Sequence, residues 1–172
     1  MRQQSVSVLH GGVLSKGRRP GTSIMGTFWN AEDRAAILAR IDKLTPEAQR
    51  RWGKMNVGQM VAHLSDQMRV TLGEIPVTPV PGLGRTALVR NIVIYWLPWP
   101  KGRIQGPKEG FLTKPAEWDA DMAGLRNLVD RFAESDPNQA WPEHPLLGPM
   151  TGKDWGVMCY KHFNHHLTQF GV

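Results

Sequence analysis

Apolar residues recur at helical spacing along most of this chain. Ile37, Leu38, Ile41 and Leu44 fall on one face of a first helix that Asn30 can cap, with Glu32 and Asp33 in its first turn, where the helix dipole favours acids. Thr45-Pro46-Glu47 then predicts a short turn leading to Arg51-Trp52-Gly53. A second helix is expected from Asn56, with Gln59 at the capping-box position and Val57, Met60, Val61, Leu64 and Met68 continuing the stripe as far as Gly73. Trp118, Met122, Leu125, Val129 and Phe132 repeat at helical spacing. The last helix opens at Thr151, with Asp154 placed to complete its cap, and runs to about Phe170 before Gly171.

Between these helices the pattern breaks. Glu74 to Gly84 holds Pro76, Pro79 and Pro81 and predicts an irregular connection. Thr86 to Leu97 predicts a short apolar helix ended by Pro98 and Pro100, and Lys101 to Lys114 is again rich in Gly, Lys and Pro. A loop carrying Trp141, Pro142, His144 and Pro145 follows Ser135-Asp136-Pro137. Strand-type alternation does not recur, so the expected fold is all-α. Four substantial helices and one inserted irregular or short-helix segment predict an antiparallel or crossover bundle.

The chain has 172 residues, 41% of them hydrophobic, enough for one well-buried core. Its net charge of +6 invites a nucleic-acid reading, but Arg2, Lys16, Arg18 and Arg19, with no acid among residues 1–24, supply +4 of it. The rest is nearly balanced, so nucleic acid is not the expected partner; loss of salt-sensitive binding on deleting residues 1–24 would test this. Residues 1–24 are expected to be a disordered extension before a helical domain over 25–172. Their basic, acid-free composition suits a cleaved organelle-targeting peptide or an upstream start with Met25 as initiator, and we favour the second because the helical pattern begins just after Met25. The apolar run from Leu88 to Pro100 contains Arg90 and two prolines and falls short of the roughly 18 residues needed to span a bilayer. No membrane partner and a cytoplasmic location are expected.

Cys159 is the only cysteine, which removes disulfide frameworks and multi-thiolate zinc sites and leaves histidines and carboxylates as metal ligands. On the last helix Trp155, Cys159, His162, His166 and Phe170 share one face. His162 and His166, four residues apart, can reach one ion at about 2.0–2.1 Å. His63 flanks the stripe of the second helix and offers a third ligand from a facing element. Three imidazoles leave coordination positions open, as catalytic sites do. A lone histidine beside an apolar face is more often a hydrogen-bonded core residue, and the weight here rests on three such positions coinciding.

The stretches Arg51-Trp52-Gly53, Asn56 to Leu64 (with His63), His144-Pro145-Leu146-Leu147-Gly148, Trp155 and His162 to Gly171 resemble the DinB/YfiT-like superfamily, and more closely a branch of it known as a domain of unknown function. The resemblance covers about residues 26–171. It implies a DinB-like four-helix bundle with a crossover connection and a metal held by His63, His162 and His166. It also implies similarity to metal-dependent thiol transferases, isomerases or hydrolases, some of which use a low-molecular-weight thiol as cosubstrate.

Other residues keep two readings. Gln59, Asp66 and Gln169 lie one helical turn from the expected ligands and either hydrogen-bond the distal imidazole nitrogens or are simply solvated. His165 can assist a ligand or orient substrate, and His144 can cap a turn or control access. Cys159 is expected to pack in the core rather than act as a nucleophile. Trp96 and Trp99 are expected to pack or to line a mouth. The function expected is a metal-dependent enzyme acting on a small molecule, with Zn²⁺ or Ni²⁺ activating water or a thiol. Its rival is a non-catalytic metal-binding or structural bundle, for instance a homodimeric stress-associated binding protein.

Overall fold

The computed structural model describes residues 25–102 and 106–172; the expectations for residues 1–24 lie outside the described residues. The described residues form α1 (Ala31–Ile41), α2 (Val57–Thr71), α3 (Ala87–Asn91), α4 (Trp118–Glu134) and α5 (Gly152–Phe170), and they contain no strand. A π-helical turn, Ile92–Trp96, continues α3, and 3-10 turns occupy Leu83–Arg85 and Lys108–Phe111. Among the described residues no helix is long and apolar enough to cross a membrane.

The helix starts follow local chemistry. The Asn30 side chain accepts from the Asp33 amide, and reciprocal capping boxes open α2 (Asn56 with Gln59) and α5 (Thr151 with Asp154). Each satisfies amides that the first helical turn leaves without partners. Gly171, in the left-handed conformation, ends α5.

α2 is the central element, packed against α4, α5 and the 3-10 turn Lys108–Phe111, while α1 packs on α5. Met60, Val61, Leu64 and Met68 of α2 are fully buried, each contributing roughly 1.5–3 kcal/mol of hydrophobic stabilisation. Because neighbours cover α2 on nearly every side, even Ser65, Asp66, Gln67 and Thr71 are buried, which a single apolar stripe does not convey. Phe28 anchors the far end of the core edge-on to Phe163 and Phe132, at ring separations of 5.0 and 6.0 Å.

The segment between α2 and α4 folds back over α5. The Tyr95 hydroxyl donates to Asp154 Oδ1 at 2.5 Å, and the Val80 amide donates to the Pro145 carbonyl at 2.9 Å. Lys161 Nζ donates to the carbonyls of Val93 (2.7 Å), Ile94 (3.3 Å) and Leu97 (2.6 Å), satisfying carbonyls at the end of the π-helical turn. The apolar helix expected over Thr86–Leu97 is thus two pieces, and the wider turn is closed by Leu97 N donating to the Ile92 carbonyl at 2.8 Å. Ile94 is fully buried, whereas Trp96 is 78% exposed and neither packs nor lines the cavity described below; this corrects the expectation for Trp96.

Candidate metal centre

His63, His162 and His166 are buried, and each offers a ligand nitrogen within 4.8 Å of the others, a group able to hold a metal ion. The Nε2 atoms of His63 and His162 face each other at 2.9 Å. Cis ligands on one ion at about 2.1 Å lie roughly 3.0–3.4 Å apart, so the pair is close to coordination spacing.

Each outer partner has a local cause. His63 Nδ1 donates to the Gly110 carbonyl at 2.6 Å, which leaves Nε2 with its lone pair. The Gly110 carbonyl is held there by Asp66. Fully buried, this carboxylate accepts from the amides of Leu112 (2.8 Å) and Thr113 (2.7 Å) and from the Thr113 hydroxyl (2.5 Å), and it pairs with Arg69 at 3.1 Å. The same strap stacks the Phe111 ring on His63, with centroids 4.4 Å apart and planes 16° from parallel. A Cβ at Gly110 would stand 3.2 Å from His63 Cε1, so glycine is what lets the strap approach.

His166 Nδ1 donates to Gln169 Oε1 at 2.9 Å. The amide orientation of Gln169 is set by its other end, because Nε2 donates to the Trp52 carbonyl at 2.8 Å. Gly53, at φ +81°, makes that approach possible, since a Cβ there would meet Gln169 Nε2 at 2.3 Å. Arg51 completes the clamp by donating its amide to the Gln169 carbonyl at 2.7 Å. The Arg51-Trp52-Gly53 turn therefore grips the end of α5 and sets the His166 tautomer.

Burial keeps these rings neutral, as ligation requires. It lowers the pKa of His63 despite the Gly110 bond, brings His166 to about 3 together with the nearby His63, and holds His162 well below the ordinary value with help from His166 and His63.

A cavity of about 170 Å³ opens beside the three rings. His165 and His144 line it without joining the ligand group. His165 is half-buried, edge-on to Trp52 at 4.7 Å and to Trp99 at 5.7 Å. His144 Nδ1 accepts from the amides of Leu146 and Leu147, both at 3.1 Å, so it caps its own turn and walls the cavity at once. Trp99 also lines it, as a mouth residue would, and with His165 it borders a broader cleft of about 450 Å³ that includes Trp52 and Lys101. Gln59 Oε1 accepts from the Asn56 amide at 2.9 Å, which places Gln59 in the α2 cap and not on a ligand nitrogen. Cys159 lies one turn below, fully buried against Thr71; burial pushes its thiol up to about 12, so it packs as an apolar side chain.

Sequence reasoning did not single out Gly110, Phe111 or Gln67. Gln67 had a usable signal, since it follows His63 by four residues on the same helical face. Gly110 and Phe111 reach the site only through the Asp66 strap and carry no local signal.

A family model described as "Protein of unknown function (DUF1569)" matches residues 29–171. The chain belongs to this family. The match takes in α1 to α5 and every residue of the histidine group. No curated protein and no solved structure matches the chain.

Proposed function

We propose that the chain is a metal-dependent enzyme of DinB-like type, a four-helix bundle with a crossover connection built from α1, α2, α4 and α5, in which His63, His162 and His166 bind one divalent ion through Nε2. The observation that carries this reading is the pairing of convergent ligand nitrogens with committed distal ones: Nδ1 of His63 and of His166 each donate to a fixed oxygen. Buried histidines packed only for stability have no need of two rings whose Nδ1–H groups are committed outward while a third ring meets one of them nitrogen to nitrogen.

A divalent ion here, Zn²⁺ or Ni²⁺, supplies Lewis acidity that makes a water or a small thiol nucleophilic near neutral pH. The chain's own residues do the rest. Met55, Val93, Leu147 and Met158 give the cavity apolar walls that limit water. Asp66 and Gln169 hold two ligand rings in register through the Gly110 strap and the Trp52 carbonyl. Asp66 does not serve the group as a free base, because it is saturated with donors. His165, whose ring nitrogens hold no hydrogen bond among the described residues, is the cavity side chain able to take or give a proton.

The test begins with metal analysis of protein purified without affinity resin. About one equivalent of metal, lost in His63→Ala, is expected; no stoichiometric metal and no effect of the substitution would end the metal reading. Hydrolysis and thiol-conjugation screens should then separate the loaded protein from the triple-His variant. Identical profiles leave a metal-binding bundle without turnover and end the enzyme reading.

A further inference from the structure

Three buried side-chain nitrogens have no hydrogen-bond partner among the described residues, and two of them, Gln67 Nε2 and Trp99 Nε1, belong to side chains lining the histidine cavity; the third is Arg90 Nε. Gln67 is 4% exposed and sits one turn beyond His63 on α2. Buried donors are rarely left unpaired, because each forfeits its bonds to water on folding and gains nothing in return. Two such donors on one cavity, beside a group able to hold a metal, are accounted for if the cavity's ligand brings the acceptor.

The rest of the lining narrows the ligand. Apart from histidines it is mainly apolar, with Val93, Phe111, Leu146, Leu147 and Met158 among its walls. A sugar or a phosphate ester would leave many of its own polar groups unpaired there. The volume of about 170 Å³ compares with the roughly 150 Å³ cavity that admits benzene, so the enclosed part of a ligand is about one six-membered ring with a small substituent. Trp99 lines both this cavity and the broader cleft, so a ligand reaching the histidines from the cleft passes this side chain.

We propose that the cavity binds a small, largely apolar carboxylate or carbonyl compound whose sp² oxygens accept from Gln67 Nε2 and Trp99 Nε1 beside the three histidines. The proposal deepens the metal reading and rests on it for the chemistry that follows, since an ion on the three rings would polarise the same oxygen group. Gln67 and Trp99 would then set specificity: an isostere without the acceptor leaves both donors unpaired and is rejected.

The experiment titrates benzoate, with toluene as the acceptor-free control, into the zinc-loaded and the zinc-free protein by calorimetry. Gln67→Met removes the amide at similar volume, and Trp99→Phe removes the indole N–H while keeping a ring. Benzoate should bind saturably and toluene more weakly, and each substitution should weaken benzoate about tenfold without changing metal stoichiometry. Trp99 is only partly buried, so its variant remains informative even where Gln67→Met perturbs folding. The proposal is overturned if the zinc-loaded protein does not bind benzoate, if toluene binds as tightly, or if both variants match the parent. Metal stoichiometry is read separately: protein that holds no zinc, yet binds benzoate with the same dependence on Gln67 and Trp99, would sink the metal reading and keep the acceptor site.

Discussion

Replacing Gln169 with Leu separates orientation of a ligand from its presence. The change leaves all three histidines in place but removes the Oε1 acceptor of His166 Nδ1–H and the donor to the Trp52 carbonyl. His166 then loses the bond that fixes its tautomer, and metal affinity should fall about 10- to 100-fold, the usual effect of deleting an outer partner of a metal-ligating histidine. That fall corresponds to roughly 1.4–2.7 kcal/mol. Stability should also drop, by about 1–3 kcal/mol, because Gln169 is 2% exposed and the Trp52 carbonyl loses its partner. Gln169→Glu divides the two effects: a carboxylate still accepts from Nδ1–H, so metal affinity should hold, while the donor to Trp52 is gone and stability should still fall. The assays are zinc competition against a chromophoric chelator and thermal melts of the same samples. If Gln169→Leu lowers stability but leaves zinc affinity within twofold of the parent, Gln169 is a packing residue and the tautomer argument is wrong.

Three further outcomes follow from the same geometry. Gly110→Ala puts a methyl 3.2 Å from His63 Cε1 and 3.3 Å from Nδ1, so zinc affinity should fall roughly tenfold, in chelator competition, with little loss of helical signal; unchanged affinity would mean the strap yields. His144, brought down to about 4 by burial, stays neutral in the folded state while the unfolded chain takes up a proton as pH falls through about 6.5, so its contribution is full above that value and declines toward pH 4 by up to about 3 kcal/mol. His144→Asn, which keeps an acceptor for the two turn amides, should show a flatter dependence of denaturant midpoint on pH in that window, and an equal slope would refute the assignment. Cys159, buried with its thiol pushed up to about 12, should react with a thiol reagent only as fast as the protein opens, and rapid labelling of native protein would contradict its core position.

Local chemistry made much of the helical framework legible. Asn30, the Asn56–Gln59 and Thr151–Asp154 boxes, and Gly171 mark helix ends by bonds that form within a few residues, so the structure begins α1, α2 and α5, and ends α5, where those signals stand. The spacing of His162 and His166, with His63 on another core-facing helix, likewise predicts that the three rings meet, and they do. What the sequence conceals is the segment between α2 and α4. Its prolines and glycines announce a loop, but its path depends on partners far along the chain: Asp66 for residues 112 and 113, Lys161 for residues 93, 94 and 97, and Asp154 for Tyr95. No periodicity encodes such long-range bonds, and so Gly110, Phe111 and the exposure of Trp96 emerge only in three dimensions. Gln59 illustrates the converse. It stands one turn from His63, yet its amide oxygen is held by the local cap, which competes for the group first.

X-ray absorption at the zinc edge of the loaded protein, compared with His63→Ala, tests the central claim most directly. The account predicts a first shell of light atoms at about 2.0–2.1 Å with outer-shell scattering from three imidazoles, falling to two in the variant. A spectrum without imidazole scattering, or one that His63→Ala leaves unchanged, would contradict it.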